Sequence, residues 1–205
     1  ACLAIIEAKN PDIVHVNDWV LGYLFGRMAM RQMPQKRIMT VHNMAYQGNI
    51  WKGTIRGWHL EQLMRHPSVG PLFDDPRPGW DSVNPLRLGL ELADCANTVS
   101  PHYQYEITQP EDPERFFEGG KGLHDITKRL AQEGRLLGIL NGFDYSNEPT
   151  ERQFADVLQH KAAMKAALAQ EFQQPENILF GFVGRAVEQK FKLLTEYLEG
   201  KSVLE

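Results

Sequence analysis

Short apolar runs alternate along this chain with longer stretches in which apolar residues recur at helical spacing. The runs have the length of buried strands, and they predict strands at residues 13–16, 37–41, 95–99, 136–140 and 178–183. The stretches between them predict helices near residues 4–9, 19–33, 85–93, 124–132, 152–172 and 188–198. Strands that alternate with helices imply parallel strands joined by right-handed crossovers. The pattern therefore predicts an α/β fold with Rossmann-like layers.

For the predicted helix at residues 19–33, the sequence predicts both the residue that caps its start and the residues of its apolar face. Asp18 precedes it and is well placed to cap its first turn. Five residues at helical spacing are expected to form its mostly apolar face, namely Val20, Tyr23, Leu24, Arg27 and Met28. The region between residues 41 and 85 is predicted to be rich in loops, because glycines and prolines accompany its tryptophans. Those tryptophans could stack on a ligand, but burial is commoner for aromatic residues and is expected here.

A proline-containing break at residues 173–177 is the best candidate for a domain junction. Beyond it the pattern offers one strand and one helix, which cannot bury both faces of a sheet. Predicted helices and strands begin within a few residues of Ala1 and continue almost to Glu205. We therefore expect the chain to be a piece of a longer protein, incomplete at both ends.

Composition narrows the class of protein. The 205 residues are 42% hydrophobic and 23% charged, values close to those of globular domains. The formal net charge of −4 argues against a general nucleic-acid binder, and no apolar run has the length of a membrane span. The two cysteines, Cys2 and Cys95, lack metal-ligand spacing and fit a reducing compartment. A cytoplasmic location is expected.

Polar chemistry follows two of the predicted strands. His42 begins the segment His-Asn-Met-Ala-Tyr-Gln-Gly after the strand at 37–41, and Arg185 and Lys190 follow the strand at 178–183. Open parallel sheets bind ligands at the carboxyl ends of their strands, and two cations five residues apart can grip a diphosphate. On spacing alone, however, the cations also fit a solvated helix face, and a lone histidine at a strand end also fits a structural role.

Five blocks of this chain, in this order, resemble the bacterial and plant glycogen and starch synthases. They are Asp12-Ile-Val-His-Val-Asn-Asp-Trp19, His42-Asn-Met-Ala-Tyr-Gln-Gly48, Thr98-Val-Ser-Pro-His-Tyr103, Gly138-Ile-Leu-Asn-Gly-Phe-Asp144 and Phe182-Val-Gly-Arg-Ala-Val-Glu-Gln-Lys190. The resemblance implies the two-domain GT-B architecture. Residues 1–174 then belong to the acceptor-side domain, and residues 175–205 open the domain that binds the nucleotide sugar.

The resemblance also implies an activity. The family transfers glucose, with retention of configuration, from ADP-glucose to the end of an α-1,4-glucan, without a metal or other cofactor. It places Arg185 and Lys190 on the leaving diphosphate and His42 beside the transferred glucose. Around the same cleft it places the substrate-binding residues Asp18, Trp19, Asn43, Tyr46, Gln47 and Asn141. As bare residues, Asp18 also fits a helix cap, and Asn141 with Gly142 also fits a tight turn.

The chain departs from the family in ways that leave alternatives open. Asn17 and Val20 stand where the family often has histidine, and Phe191 replaces a glycine. The family's N-terminal lysine-glycine loop and its C-terminal glutamate motif have no counterpart, so these 205 residues alone are expected to be inactive. Nothing local distinguishes ADP-glucose from UDP-glucose. Another GT-B enzyme, similar to sucrose synthase, and a noncatalytic module that binds glucan or a partner are the competing hypotheses.

Two further motifs favour no site from sequence alone. Asp74-Asp75 is a carboxylate pair, but it lies in a proline- and glycine-rich segment, and the family needs no metal. The stretch Gly119-Gly-Lys-Gly122 lacks the Ser or Thr and the preceding strand of a P-loop. It resembles the glycine-rich stretch of the synthase family instead.

Overall fold

The computed structural model describes residues 1–142, 151–171, 197–198 and 201–202. The chain forms two compact units, Ala1–Phe143 and Asp144–Glu205. The predicted strand at 178–183 and most of the predicted helix at 188–198 lie outside the described residues. The domain boundary after residue 174 stays a prediction.

Eight helices and eight strands occur in the described parts of the chain. The helices are α1 (Cys2–Lys9), α2 (Gly22–Met30), α3 (Trp58–Arg65), α4 (Gly70–Phe73), α5 (Pro85–Leu92), α6 (Pro101–Glu106), α7 (His124–Gln132) and α8 (Glu151–Glu171). The strands are β1 (Ile13–Asn17), β2 (Lys36–Val41), β3 (Ile50–Trp51), β4 (Ser82–Val83), β5 (Cys95–Thr98), β6 (Leu136–Gly138), β7 (Tyr197–Leu198) and β8 (Lys201–Ser202). The strands predicted near 13–16, 37–41, 95–99 and 136–140 are confirmed, as are the helices predicted near 4–9, 85–93, 124–132 and 152–172.

The first unit is built on a parallel sheet with the strand order β1-β2-β5-β6. Val16 lies opposite Met39, and Thr98 lies opposite Gly138. The apolar residues of one sheet face are buried under helices α1, α2, α5 and α7, and this layer forms the main hydrophobic core. The alternation predicted from sequence therefore produces a parallel sheet, since each strand returns to the sheet after a helical crossover.

The opposite sheet face carries a short polar ladder. Nε2 of His15 lies 2.7 Å from Oγ1 of Thr40, and that hydroxyl donates to Oδ1 of Asn97 at 2.8 Å. The three side chains come from β1, β2 and β5. They satisfy each other's hydrogen-bonding groups across the width of the sheet.

The predicted helix at 19–33 differs from the structure at both ends. The chain first forms a 3₁₀ turn at Trp19–Leu21, and α2 ends at Met30. A 3₁₀ turn advances three residues per turn, so its side chains do not continue the face of the α-helix that follows. As a result, Val20 is exposed. Tyr23 is exposed on α2 itself, and the buried face of α2 consists of Gly22, Leu24, Phe25, Gly26 and Met28.

The region from 41 to 85 contains more structure than predicted. Helices α3 and α4 and the antiparallel pair β3–β4 surround a second hydrophobic cluster, which includes Leu63, Phe73 and Val83. Helix α6 was also missed, although its start is visible in the sequence. The hydroxyl of Ser100 accepts a hydrogen bond from the backbone N–H of Tyr103 at 3.0 Å, and Pro101 occupies the first helical position.

The second unit contains the long helix α8 and the antiparallel pair β7–β8. The helix predicted at 188–198 is wrong at its last two residues, because Tyr197 and Leu198 pair with Ser202 and Lys201. In the described residues, no helix is both long enough and apolar enough to span a bilayer.

Helices α2 and α5 touch through glycine. A Cβ atom on Gly22 would lie 1.9 Å from the backbone oxygen of Pro85, and one on Gly89 would lie 3.1 Å from Cα of Gly22. Because these helices follow β1 and precede β5, their close approach sets how the helical layer sits on the sheet.

We predict that Gly22→Ala lowers the free energy of unfolding by about 1–3 kcal/mol, because the backbone at Pro85 must move to admit the methyl group. Urea denaturation of the purified chain measures this change. Gly142→Ala is the matched control, because no atom lies within 4 Å of the added Cβ, and it should stay within about 0.5 kcal/mol of wild type. Equal midpoints for the two variants would show that the helices do not depend on the glycine contact.

Candidate functional site

The carboxyl ends of the parallel strands meet at one edge of the sheet in the first unit. Asp18 follows β1, His42 follows β2, and Asn141 comes three residues after the end of β6. This is the edge at which open α/β sheets bind ligands. The structure therefore places predicted site residues from distant parts of the sequence along a single edge of the sheet, with His42 and Asn141 both exposed.

His42 is held from two sides. Its backbone N–H donates to Oδ1 of Asp18 at 2.7 Å, and Nε2 of its ring lies 2.9 Å from Oδ1 of Asn17. The second contact assigns a proton to Nε2, which fixes the orientation of the ring. Asn17 is one of the positions at which the chain departs from the family, and in this structure it orients the candidate catalytic histidine.

Asp18 does not cap the helix that follows it, contrary to the sequence-based expectation. Its carboxylate accepts the hydrogen bond from His42 instead, and its own N–H donates to the backbone oxygen of Thr40 at 2.8 Å. Its φ of 54° and ψ of −171° are unusual for a residue other than glycine. Strained backbone of this kind persists where the surroundings enforce it, and it is often found at functional sites.

Trp19 packs against the far end of the same segment. A Cβ atom on Gly48 would lie 2.2 Å from Cε3 of the indole, and Gly48 has a φ of 72°, so only glycine fits there. We call residues His42–Gly48 the His42 loop. The consecutive residues Asp18 and Trp19 thus hold its first and its last residue.

The middle of the His42 loop is anchored by Tyr103. The backbone N–H of Met44, a fully buried residue, donates to the hydroxyl of Tyr103 at 2.9 Å. Burial raises the pKa of this hydroxyl to about 12, so it stays protonated at neutral pH. Oδ1 of Asn43 accepts from the N–H of Ala45 at 2.8 Å and closes a turn inside the loop.

Gln47 is buried, and its side chain is fully engaged. Nε2 donates to the backbone oxygens of Met44 at 3.1 Å and Lys121 at 2.9 Å. Oε1 accepts from Asn84 at 2.7 Å and from Arg77 at 3.3 Å. The side chain of Gln47 thus bonds to four groups of the protein, and its part in substrate binding stays a prediction. Tyr46, its neighbour, is 46% exposed and is the accessible aromatic side chain of the loop.

Asp75 and Arg77 form a buried ion pair that contacts this loop. The pair was not predicted from the sequence. Arg77 makes two hydrogen bonds to Asp75, from Nε to Oδ1 at 2.8 Å and from a terminal nitrogen to Oδ2 at 2.7 Å. Asn84 and Asn49 also donate to Asp75, whose side chain has no exposed surface. Asp74 turns away and pairs with Lys52 at 2.8 Å. An arginine two residues after a carboxylate in a proline-rich segment was the available indication.

The glycine-rich stretch at 119–122 belongs to the same cluster. A Cβ atom on Gly122 would lie 2.7 Å from Cγ and Cδ of Arg77, and the backbone oxygen of Lys121 accepts from Gln47. Gly119 and Gly122 both have positive φ angles. The stretch therefore serves as a close-packed support for Arg77 and Gln47.

Arg185 and Lys190 lie outside the described residues, so their part in the site stays a prediction. Within the described ranges, no three side chains of His, Cys, Asp or Glu come close enough together to hold a metal ion.

The chain was compared with known proteins. A sequence model of the family described as starch synthase catalytic domain matches residues 1–129. A glycogen synthase of Hydrogenovibrio crunogenus is 32% identical over 95% of this chain and 41% of its own length. A glycogen synthase of Yersinia pestis is 36% identical over 88% of this chain and 37% of its own length. The chain thus spans about two fifths of the length of these relatives.

A solved structure is also similar. The catalytic domain of starch synthase IV from Arabidopsis thaliana, bound to ADP and acarbose, superposes with a TM-score of 0.55 at 29% identity. The superposition covers 83% of this chain and 35% of that one. It confirms the predicted fold class, a mixed α/β fold with a parallel sheet that matches part of a GT-B glycosyltransferase catalytic domain.

The Asp75–Arg77 ion pair predicts a pH dependence of stability. Burial alone would raise the pKa of Asp75, but hydrogen bonds from Arg77 and Asn84 and the charge of Arg77 lower it to about 2. Because the pKa is lower in the folded chain than in the unfolded one, the stabilisation is present above pH 4 and is lost as the pH falls toward 2. Its size is about 2 kcal/mol.

We expect Asp75→Asn to be less stable than wild type at pH 7, with a difference that shrinks as the pH falls from 4 to 2. Urea denaturation at pH 7, 4 and 2.5 measures this difference directly. Asp125→Asn is the control, because the Asp125 side chain is 91% exposed, and it should show no such trend. A difference for Asp75→Asn that does not vary with pH would contradict the lowered pKa.

Proposed function

Because this chain belongs to the starch synthase catalytic domain family, we propose that it forms part of a retaining glucosyltransferase that extends α-1,4-glucan chains from ADP-glucose. Two kinds of similarity support the proposal. The relatives are glycogen synthases, and the structural neighbour is a starch synthase catalytic domain bound to ADP and acarbose. The observation that carries it is the His42 loop, which is fixed at the ligand-binding edge of the sheet with its histidine exposed.

The proposed reaction breaks the bond between the anomeric carbon of glucose and the diphosphate oxygen. A new bond forms to the 4-hydroxyl oxygen at the nonreducing end of the acceptor, ADP departs, and the hydroxyl loses its proton. Positive charge grows on the sugar in the transition state, and negative charge grows on the diphosphate. Fixed groups aimed at that developing charge stabilise the transition state most effectively.

Arg185 and Lys190 are proposed to bind the leaving diphosphate. An arginine offers a planar pair of donors to two phosphate oxygens, and a lysine adds a compact positive charge. Both would precede or open the helix predicted after the strand at 178–183. In this proposal residues 175–205 begin the domain that binds the nucleotide sugar, and residues 1–174 provide the acceptor side.

His42 is proposed to hydrogen-bond the transferred glucose. Its main chain is held by Asp18 and its ring by Asn17, so little reorganisation is needed when the sugar arrives. A side chain fixed in this way loses little conformational entropy on binding and keeps its donor or acceptor aimed at the same point.

The remaining predicted residues divide into two groups. Tyr46 and Asn141 are exposed and are proposed to contact the glucan or the sugar directly. Asp18, Trp19, Asn43 and Gln47 are proposed to act by holding the His42 loop. We also propose a cytoplasmic location, which the two unpaired cysteines support.

The donor and acceptor are tested by assaying the whole enzyme that contains this chain with ADP-glucose or UDP-glucose and glycogen. We expect extension of the glucan from ADP-glucose, with a lower rate from UDP-glucose. The competing reaction, transfer between UDP-glucose and fructose, serves as the control for an enzyme similar to sucrose synthase. Failure to extend glycogen with either donor would reject the proposed function.

We predict that His42→Ala, Arg185→Ala and Lys190→Ala each lower kcat of the whole enzyme by roughly a hundredfold, which corresponds to about 3 kcal/mol of transition-state stabilisation. Thermal unfolding should change little. His160→Ala and Arg65→Ala are matched controls at exposed positions on α8 and α3 and should keep wild-type kcat. Rates within twofold of wild type for all three site variants would reject the assigned roles.

A further inference from the structure

Two tryptophans are largely exposed next to each other's strands, Trp51 at the end of β3 and Trp80 two residues before β4. Trp51 is 60% exposed and Trp80 is 50% exposed. Trp51 lies opposite Ser82, and Trp80 precedes Ser82 by two residues, while the N–H of Lys52 bonds to the oxygen of Asp81 at 3.0 Å. Residues in such diagonal positions of an antiparallel pair lie within reach of each other when their side chains are aromatic. We call Trp51 and Trp80 the tryptophan pair.

Side-chain contacts indicate that both indoles lie on the same side of β3–β4. The amide of Asn49, two residues before Trp51, reaches the hydroxyl of Ser82 at 3.5 Å. Arg77 bonds to the same amide at 3.3 Å and stacks on the ring of Trp80. Residues two apart in a strand share a face, so Trp51 lies on the side of Ser82, Arg77 and Trp80.

Each indole rests against a fixed group of the protein. Cζ of Arg77 lies 3.6 Å from the ring centroid of Trp80, and Asp75 fixes that guanidinium in turn. A Cβ atom on Gly53 would lie 2.8 Å from Cζ2 of Trp51, so that ring lies directly over the glycine. An aromatic surface that is already fixed loses little conformational entropy when a ligand covers it.

The pair has a polar rim. Lys52 lies between Asp74 and Asp81, at 2.8 and 3.8 Å, and the side chain of Asp81 is 68% exposed. A glucose ring has the matching chemistry, because its C–H groups present an apolar face to an indole while its hydroxyls extend to the rim. An apolar peptide would remove water from these charged groups without offering them hydrogen bonds, so the observations favour a sugar.

The side chain of Arg77 links the tryptophan pair to the His42 loop. Arg77, which stacks on Trp80, also donates to the amide of Gln47 at 3.3 Å, and Gln47 is the neighbour of the exposed Tyr46. One guanidinium therefore connects the loop to the indole.

We propose that Trp51 and Trp80 form a glucan-binding subsite outside the reaction centre, which holds the body of a long α-1,4-glucan chain by stacking on its glucose rings. This inference rests on the proposed function, because that function supplies the glucan. The pair takes no part in bond breaking. It contributes affinity for long chains and leaves transfer to a short acceptor unchanged.

The first test measures binding of maltoheptaose to the purified chain by calorimetry. Trp51→Ala and Trp80→Ala should each weaken binding by roughly tenfold, and the double variant should bind too weakly to measure. Trp80→Phe should stay within about threefold of wild type because it keeps a ring at that position. Tyr105→Ala is the matched control, since Tyr105 is 64% exposed on α6, and it should bind as wild type does.

Several outcomes would overturn the proposal. Wild-type chain that binds no maltoheptaose, a double variant that binds normally, or equal binding of cellohexaose would each reject an α-glucan subsite. A change of oligomeric state in the double variant, with maltoheptaose binding intact, would make the pair a protein interface instead. Circular dichroism of each variant checks that the fold is kept, and Trp51→Ala leaves the Arg77 stack untouched.

Kinetics of the whole enzyme separate this inference from the proposed function. The double variant should raise KM for glycogen roughly tenfold or more and leave kcat with maltotriose unchanged. A whole enzyme that transfers to neither acceptor would reject the proposed function, while the binding result on the chain would still decide the subsite. Equal KM for glycogen in wild type and double variant would reject the subsite alone.

Discussion

The geometry of the candidate site depends on the buried ion pair between Asp75 and Arg77. A buried pair of this kind is favourable only when its geometry is good and its remaining hydrogen-bonding positions are satisfied. Both conditions hold, since Arg77 binds both carboxylate oxygens and two asparagines complete the coordination of Asp75. Removal of one partner from such a pair typically costs about 3–5 kcal/mol. Because Arg77 is fixed by Asp75, it also restricts the positions of the groups it contacts, which are Gln47, Trp80 and the backbone at Gly122.

The His42 loop is also held by two residues that follow strand β1 of the sheet. Asp18 and Trp19 are neighbours in sequence, yet they hold opposite ends of a loop that begins 24 residues after Asp18. This works because the chain turns sharply at Asp18, where the positive φ sends the carboxylate toward β2 and the indole toward Gly48. A helix cap at Asp18 would direct the carboxylate to its own helix instead. The strained backbone and the missing cap are therefore consequences of the same tertiary contact.

Local pattern predicted the elements of the sheet and most of the helices that cover it. Each of those elements buries an apolar face large enough to be visible in the sequence. The contact of Arg77 with Gln47 was not predicted, because Gln47 lies 30 residues away and only the folded chain brings the two together. The same reason explains Asp18, whose short-range role as a helix cap was plausible but lost to a hydrogen bond with His42. Helix α4 was missed because it begins with Gly70 and Pro71, whereas α3 contains neither residue and its apolar residues at helical spacing were overlooked. The small apolar cluster of this region draws on α5 as well.

The residues carried over from the family resemblance separate by burial into two kinds. His42, Tyr46 and Asn141 are exposed, whereas Gln47 and the carboxylate of Asp18 hydrogen-bond to the protein. In the proposed function, the motif His-Asn-Met-Ala-Tyr-Gln-Gly therefore combines groups proposed to touch the sugar with groups that fix the loop. The two kinds differ in what their loss does, since a contact residue acts on the transition state alone, while a positioning residue also changes the stability of the folded loop. Sequence similarity cannot separate these roles, because both are required for the same reaction, and burial together with hydrogen-bond partners does separate them.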